Sequence, residues 1–349
     1  MRLCEVTFLD EAQEAERLAT TQAALNRALR ALDRAKQSSE DIVAAVYRAV
    51  DDNLKALSFG TITKPPRDRR KGDDETAVIT FSDLQLGQVT ASYNSETAEQ
   101  RVQQYADKII RLTELQRASH PIRRAKLYLL GDLIEGELIV PSHPHQVDSS
   151  VYAQVALNGP RILTDFIRRM LECFEAVDVV SVPGNHGDVG GPARKMYNPE
   201  TNFDRMLSTI VRLTFEASNE RRVSFTIPDG YGRSSWYAVD YVGDVGFLLW
   251  HGHQARRTSS SSHLPFYKLV MGWRSGAIPE PFQVSICGHH HTPTFLTMNS
   301  VQHYINGTFA SDSEYAVERL ASNSKAAQWL LFCQPGRGVT ASYLVNLAN

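Results

Sequence analysis

The chain has 349 residues, 42% of them hydrophobic, and 37 Lys and Arg against 39 Asp and Glu leave a net charge of −2. Such a length exceeds the usual single domain, the apolar share excludes wholesale disorder, and the near-neutral charge excludes a globally basic nucleic-acid binder. Cys4, Cys173, Cys287 and Cys333 form no CxxC pair, which excludes a zinc ribbon or thioredoxin-type motif and fits a reducing cytoplasm.

In chain order, the acidic start "MRLCEVTFLDEAQEAERL" has no apolar core and is no signal peptide. Leu25, Leu29 and Leu32 recur at helical spacing, and so do Ile42, Val43, Val46, Val50 and Leu54 behind the cap "SSED". Residues 1–62 are therefore expected to be a helical appendage. Acidic residues slightly outnumber basic ones over 10–57, so packing or oligomerisation is favoured over a DNA-binding helix-turn-helix. The segment 63–76, with "TKPPRDRRKGDDE", reads as a solvated charged linker.

From residue 77 to 349 the pattern becomes that of one α/β domain. The runs "TAVITFS", "AKLYLLG", "VDVVSVPG", "VGFLLWHG" and "FQVSICGH" are continuously apolar, as expected for strands covered on both faces. Amphipathic segments near 97–119 and 150–172 suit helices between the first three, and "QHYINGTF" and "AAQWLLFCQPGRGVTASYLV" add strands later. Helices early and hairpins late predict an α/β sandwich with a mixed sheet or sheets. No run approaches the ~20 apolar residues of a bilayer span.

Each of the five apolar runs is followed by polar residues beside a glycine. They are "SDLQLG" with Asp83 and Gln85, "GDLIEGE" with Asp132, "PGNHGD" with Asn185, His186 and Asp188, "HGH" with His251 and His253, and "GHHHTP" with His289, His290 and His291. Sites in α/β sheets assemble at the carboxyl ends of strands. Carboxylates, amides and imidazoles without thiolates suit Mn²⁺, Fe, Zn²⁺ or Mg²⁺. So many donors exceed the needs of one ion, whereas two ions sharing a carboxylate would use them all and clamp a phosphoryl group.

The ordered set resembles the calcineurin-like metallophosphoesterase family, whose pattern is D-x-H, G-D, G-N-H-[DE], H and G-H-x-H. The resemblance runs from about residue 77 to about 310. It implies a four-layered α/β/β/α sandwich and a two-metal phosphoesterase centre. By position, Asp83 and His291 would bind the first ion, Asp132 would bridge, and Asn185, His251 and His289 would bind the second. His186 matches the histidine that protonates the leaving oxygen, His290 is the spacer, and His253 would line the phosphate pocket. Gln85 stands where the family has a histidine, which tilts the first position towards Mn²⁺ or Mg²⁺. Gly187 stands where the family has an acid, which leaves Asp188 to orient His186.

The substrate is less legible. The insertion 253–276 carries Arg256 and Arg257 to meet phosphate, and Phe266, Tyr267 and Trp273 as platforms for bases, with core packing the competing reading for the aromatics. His143 and His145 mark a flap or surface loop after the Asp132 motif. The expectation is a cytoplasmic phosphodiesterase or nuclease acting on nucleic acid with two divalent ions, Mn²⁺ foremost, and SbcD-type repair nucleases are one branch it resembles. The alternatives are hydrolysis of small cyclic nucleotides, or a non-catalytic scaffold docking through its N-terminal helices.

Overall fold

The computed structural model describes residue 44 and residues 61–137, 147–189, 199–229, 235–255, 264–311 and 325–347. The chain divides into two compact units, 1–51 and 52–349, and the architecture below is that of the second. The expected N-terminal helices fall outside the described residues, as do His143, His145, Arg256 and Arg257.

Residues 61–75 form no helix or strand, yet they do not trail freely. Asp68 accepts from the backbone N–H of Ile122 at 3.2 Å, and its carbonyl accepts from Arg123 Nε at 3.0 Å. The charged run expected to be a solvated linker is thus fastened to the domain through Ile122 and Arg123.

Two sheets form the centre. The first has the order β11-β10-β1-β2-β3-β4, from β1 (Thr76–Phe81), β2 (Arg124–Leu129), β3 (Ala176–Ser181), β4 (Val223–Thr226), β10 (Ala327–Gln334) and β11 (Gly338–Asn346). Strands β1 to β4 run parallel, while β10 and β11 add an antiparallel edge. The second sheet has the order β5-β6-β7-β9-β8, from β5 (Tyr237–Val242), β6 (Val245–Trp250), β7 (Val284–Cys287), β8 (Thr294–Met298) and β9 (Val301–Ile305). Its β6, β7 and β9 are parallel.

Register explains why the motifs can meet. Phe81, Leu129 and Ser181 are direct neighbours across β1, β2 and β3, and Trp250, Cys287 and Ile305 across β6, β7 and β9. Every motif therefore leaves its sheet at the same level.

Helices α1 (Ser95–Gln116), α2 (Gly159–Cys173) and α3 (Phe203–Ala217) cover the outer face of the first sheet. There Phe81 meets Phe166 of α2 at 5.3 Å, and Phe166 stacks on Tyr105 of α1 at 5.9 Å. Between the sheets, Val78, Tyr128 and Val180 pack against Phe247, Leu249 and Ile286. On the far side, Leu248, Trp250 and Ile305 lie under Phe266 and Val270 of α4 (Leu264–Gly272). This gives four layers, α/β/β/α. The central strands of both sheets are buried on both faces, which is why β6 reads VGFLLW with every residue buried.

Candidate metal centre

The residues that follow β1, β2, β3, β6 and β7 come together at the shared rim. Asp83 and His291 touch, with His291 Nε2 3.1 Å from Asp83 Oδ1. Asp132, His251 and His289 each offer one ligand atom within 4.8 Å of the others. Asn185 Oδ1 lies 3.2 Å from His251 Nε2 and so joins that trio. Asp83, Gln85, Asp132, Asn185 and His251 are buried, and His186, His253, His289 and His291 are half-buried.

The backbone is contorted at these residues. Among the described residues, seven other than glycine have positive φ, and five of them are Asp83 (52°), Gln85 (45°), Asp132 (51°), His289 (69°) and His291 (56°). A left-handed backbone costs an L-residue ~1–2 kcal/mol, so it persists only where surrounding bonds enforce it. Those bonds are present. Asp83 N–H donates to Gly131 O at 3.1 Å, Gln85 N–H to Asp132 O at 3.0 Å, and Thr308 Oγ1 and Phe309 N–H both donate to Asp83 O. Two glycines clear the space: a Cβ on Gly184 would stand 2.1 Å from Asp132 Oδ1, and one on Gly288 2.5 Å from Asp83 Oδ2.

His251 Nδ1 lies 2.7 Å from Leu130 O, which fixes that nitrogen as the donor and turns Nε2 to the centre. Asp132 Oδ2 sits 2.9 Å from His251 Nε2, although the geometry is not that of a hydrogen bond. Burial pushes the Asp132 carboxyl upward, but the charges of His251 and His186 outweigh it and hold the acid well below the usual carboxylate range. Burial lowers His251, and Asp132 more than reverses this, raising it to about 9. His289 is held well below the usual imidazole range by burial and by His251, so it presents a neutral lone pair.

These residues fit a divalent cation. Gln85 Oε1 and Asp132 Oδ2 are buried acceptors with no hydrogen-bond donor, a costly state that a cation relieves. Two carboxylates, two amide oxygens and three imidazoles make a hard-to-intermediate donor set. Cys287 is buried with its Sγ 3.9 Å from His303 Nε2, where burial holds the thiol protonated.

In layer order and motif order the chain resembles the calcineurin-like metallophosphoesterases. No protein-family profile matches the sequence, and no curated protein sequence matches it. Solved structures do match in fold. Vacuolar Protein Sorting 29 from Cryptosporidium parvum is 12% identical over 78% of this chain and 100% of that one, with a TM-score of 0.32. A novel archaeal phosphodiesterase is 10% identical over 77% of this chain and 99% of that one, with a TM-score of 0.34. A putative 5′-nucleotidase from Staphylococcus aureus is 12% identical over 79% of this chain and 55% of that one, with a TM-score of 0.33. Likenesses this distant carry no argument about activity, which rests on the geometry of the rim.

The remaining motif residues divide by position. His253 stands beside the imidazoles, 5.6 Å from His251 and 6.2 Å from His289 between ring centres. His290 turns to Phe266, at 4.7 Å, with Nε2 3.3 Å from Gly252 O. His186 donates its N–H to Asp132 Oδ1 at 2.8 Å, and its Nδ1 lies 2.9 Å from the carbonyl and 3.3 Å from the carboxylate of Glu135. Burial lowers His186, but Asp132 and Glu135 reverse this and raise it to about 10. The acid beside the His186 ring is therefore Glu135, whereas Asp188 accepts from Asn202 Nδ2 at 3.0 Å. Glu135 follows Asp132 by three residues, a spacing visible in the sequence without any sign of which histidine it would meet.

Sequence reasoning missed Asp204 altogether. Its buried carboxylate accepts from the backbone N–H groups of Asp132, Leu133 and Gly184 at 2.8, 2.9 and 2.8 Å. Burial and the nearby Asp132 charge push it up to about 6. Of the insertion aromatics, Phe266 is buried, and Trp273 packs against Trp236 at 5.0 Å and Trp250 at 4.8 Å. Two of the three expected base platforms thus belong to the core, and Tyr267 stays exposed.

Proposed function

We propose that the chain is a metal-dependent phosphoester hydrolase, and within that class a phosphodiesterase acting on nucleic acid with two divalent ions, Mn²⁺ foremost. The observation that carries this reading is the convergence of five strand-end motifs on one rim, three of them in enforced left-handed backbone, with buried oxygens that lack donors. Asp83, Gln85, Asp132 and His291 would hold one ion, and Asp132, Asn185, His251 and His289 the other. Fe, Zn²⁺ and Mg²⁺ suit the same donors. Bound there, the ions supply Lewis-acid polarisation of phosphoryl oxygens.

The chain's own residues then account for the proton. With Nδ1 held by the Glu135 carbonyl and carboxylate, His186 carries its mobile proton on Nε2, the nitrogen on the Asp132 side of the ring. Delivered to the departing oxygen, that proton avoids expulsion of an alkoxide, a role worth typically 10²–10⁴-fold in rate. His253 flanks the pocket, and Arg256 and Arg257, three and four residues further on, supply cationic partners for phosphate.

Arg256 and Arg257 support a nucleic-acid substrate, together with exposed Tyr267 as a platform for one base. A second reading, hydrolysis of small cyclic nucleotides, gains from the packing of Phe266 and Trp273 into the core, which withdraws two platforms from a long strand. Metal-stripped protein reloaded with Mn²⁺ is to be offered single- and double-stranded DNA and 2′,3′-cyclic nucleotides, with Asp132→Asn as control. DNA cleavage that disappears in the control is the expected result. Cleavage of the cyclic nucleotides alone moves the substrate to small nucleotides, and no turnover with metal bound favours a scaffold.

A further inference from the structure

We infer that Asp204 is a positioning residue of this centre, anchoring the two loops that carry Asp132, Asn185 and His186 to the start of α3; the inference rests on the metal-hydrolase reading above. Helix α3 begins Asn202-Phe203-Asp204, and Asn202 caps it by accepting from Asp204 N–H at 3.0 Å and Arg205 N–H at 3.3 Å. An acid in a first helical turn ordinarily faces solvent and interacts with the helix's own exposed N–H groups. Asp204 does neither. It is fully buried, and the three backbone N–H groups it accepts from all lie outside the helix.

Two of those donors, the N–H groups of Asp132 and Leu133, belong to the turn after β2, and the third, Gly184 N–H, opens the Gly184-Asn185-His186 turn after β3. Charge-assisted bonds of 2.8–2.9 Å are the stronger kind, and one carboxylate makes three of them across two loops. Asn202 ties the same turn from its other side, donating Nδ2 to Gly184 O at 2.9 Å, while Phe203 N–H donates to Gly187 O at 2.9 Å. Asp132 keeps its φ of 51° because its N–H is fixed by Asp204 and its C=O by Gln85 N–H. Asp204 also sets a second negative charge behind Asp132, favouring cations at the rim without contacting them.

The test is Mn²⁺ binding by calorimetry on metal-stripped wild type, Asp204→Asn and Leu207→Ala. Asparagine keeps the shape but turns an amide N–H towards backbone N–H groups that must donate, and Leu207 is a buried residue of the same helix. Loss of an outer partner typically weakens metal binding 10–100-fold. The expected result is at least tenfold weaker Mn²⁺ binding in Asp204→Asn, with Leu207→Ala melting lower but binding Mn²⁺ as wild type does. Unchanged affinity in Asp204→Asn, or equal weakening in both variants, overturns the inference. Wild type that binds no Mn²⁺ overturns the hydrolase reading itself. If Asp204→Asn fails to fold, Asp204→Ser, with one small acceptor, is read by the same outcomes.

Discussion

His289 donates its backbone N–H to both carboxylate oxygens of Asp83, at 3.1 and 3.0 Å, although the two residues follow strands of different sheets and lie 206 positions apart. That contact stitches the rim of one sheet to the rim of the other. It also explains the glycine between Cys287 and His289: the carboxylate occupies the space a side chain would need.

Gly288→Ala is therefore expected to force Asp83 out of place. Overpacking of this kind costs about 1–3 kcal/mol, and the displaced carboxylate should weaken binding of the ion proposed for Asp83 and His291. Thermal denaturation with and without Mn²⁺ checks this; a variant that melts and gains stability from Mn²⁺ like wild type contradicts it.

Gln85 places an amide oxygen where an imidazole would make the first position softer. Gln85→His should tighten that position for Zn²⁺ by tenfold or more and shift preference away from Mn²⁺. Competition calorimetry with the two metals reads this directly. Equal Zn²⁺ isotherms for variant and wild type mean that Gln85 holds no metal.

His186→Ala should keep bound metal and lose turnover by about 10²–10⁴-fold, the range for a positioned proton donor. Glu135→Gln should lose turnover less severely, because the Glu135 backbone carbonyl still meets His186 Nδ1. Metal content by elemental analysis beside steady-state rates separates proton transfer from metal binding. Turnover of His186→Ala at the wild-type level would sink the assignment.

His303 gives a stability prediction remote from the ligands. It is fully buried, stacked on Trp250 at 6.0 Å, and burial holds its pKa down at about 3. An unfolded histidine titrates near ~6.5, so between those values the unfolded chain binds the extra proton. Stability attached to His303 is then whole above pH ~6.5 and lost as pH falls towards 3, at up to about 1.4 kcal/mol per pH unit. Urea denaturation from pH 7 to pH 4.5 should show a steeper loss in wild type than in His303→Gln. Parallel profiles would refute the role.

Much of the fold was legible because the central strands are buried on both faces, so β1, β2, β3, β6 and β7 announce themselves as apolar runs. The convergence at the rim was legible because the polar motif residues follow those runs directly. What escaped has physical causes. Asp204 reads in the sequence as an ordinary acid near a helix start, and only the meeting of α3 with two loops gives it donors. Asp188, two residues after His186, is the partner the sequence suggests, and only the folded loops bring Glu135 to the ring. Aromatic content alone does not say which way a side chain faces, so Phe266 and Trp273 resembled a platform when they pack onto Trp250 of the second sheet.

The most direct test of the central claim is hydrolysis of bis-p-nitrophenyl phosphate by metal-stripped protein, before and after addition of Mn²⁺, with Asp132→Asn beside it. The expected result is no turnover without metal, turnover restored by Mn²⁺, and at least 100-fold less in Asp132→Asn, the residue proposed to serve both ions. Turnover that survives metal removal, or that Asp132→Asn retains in full, would contradict it.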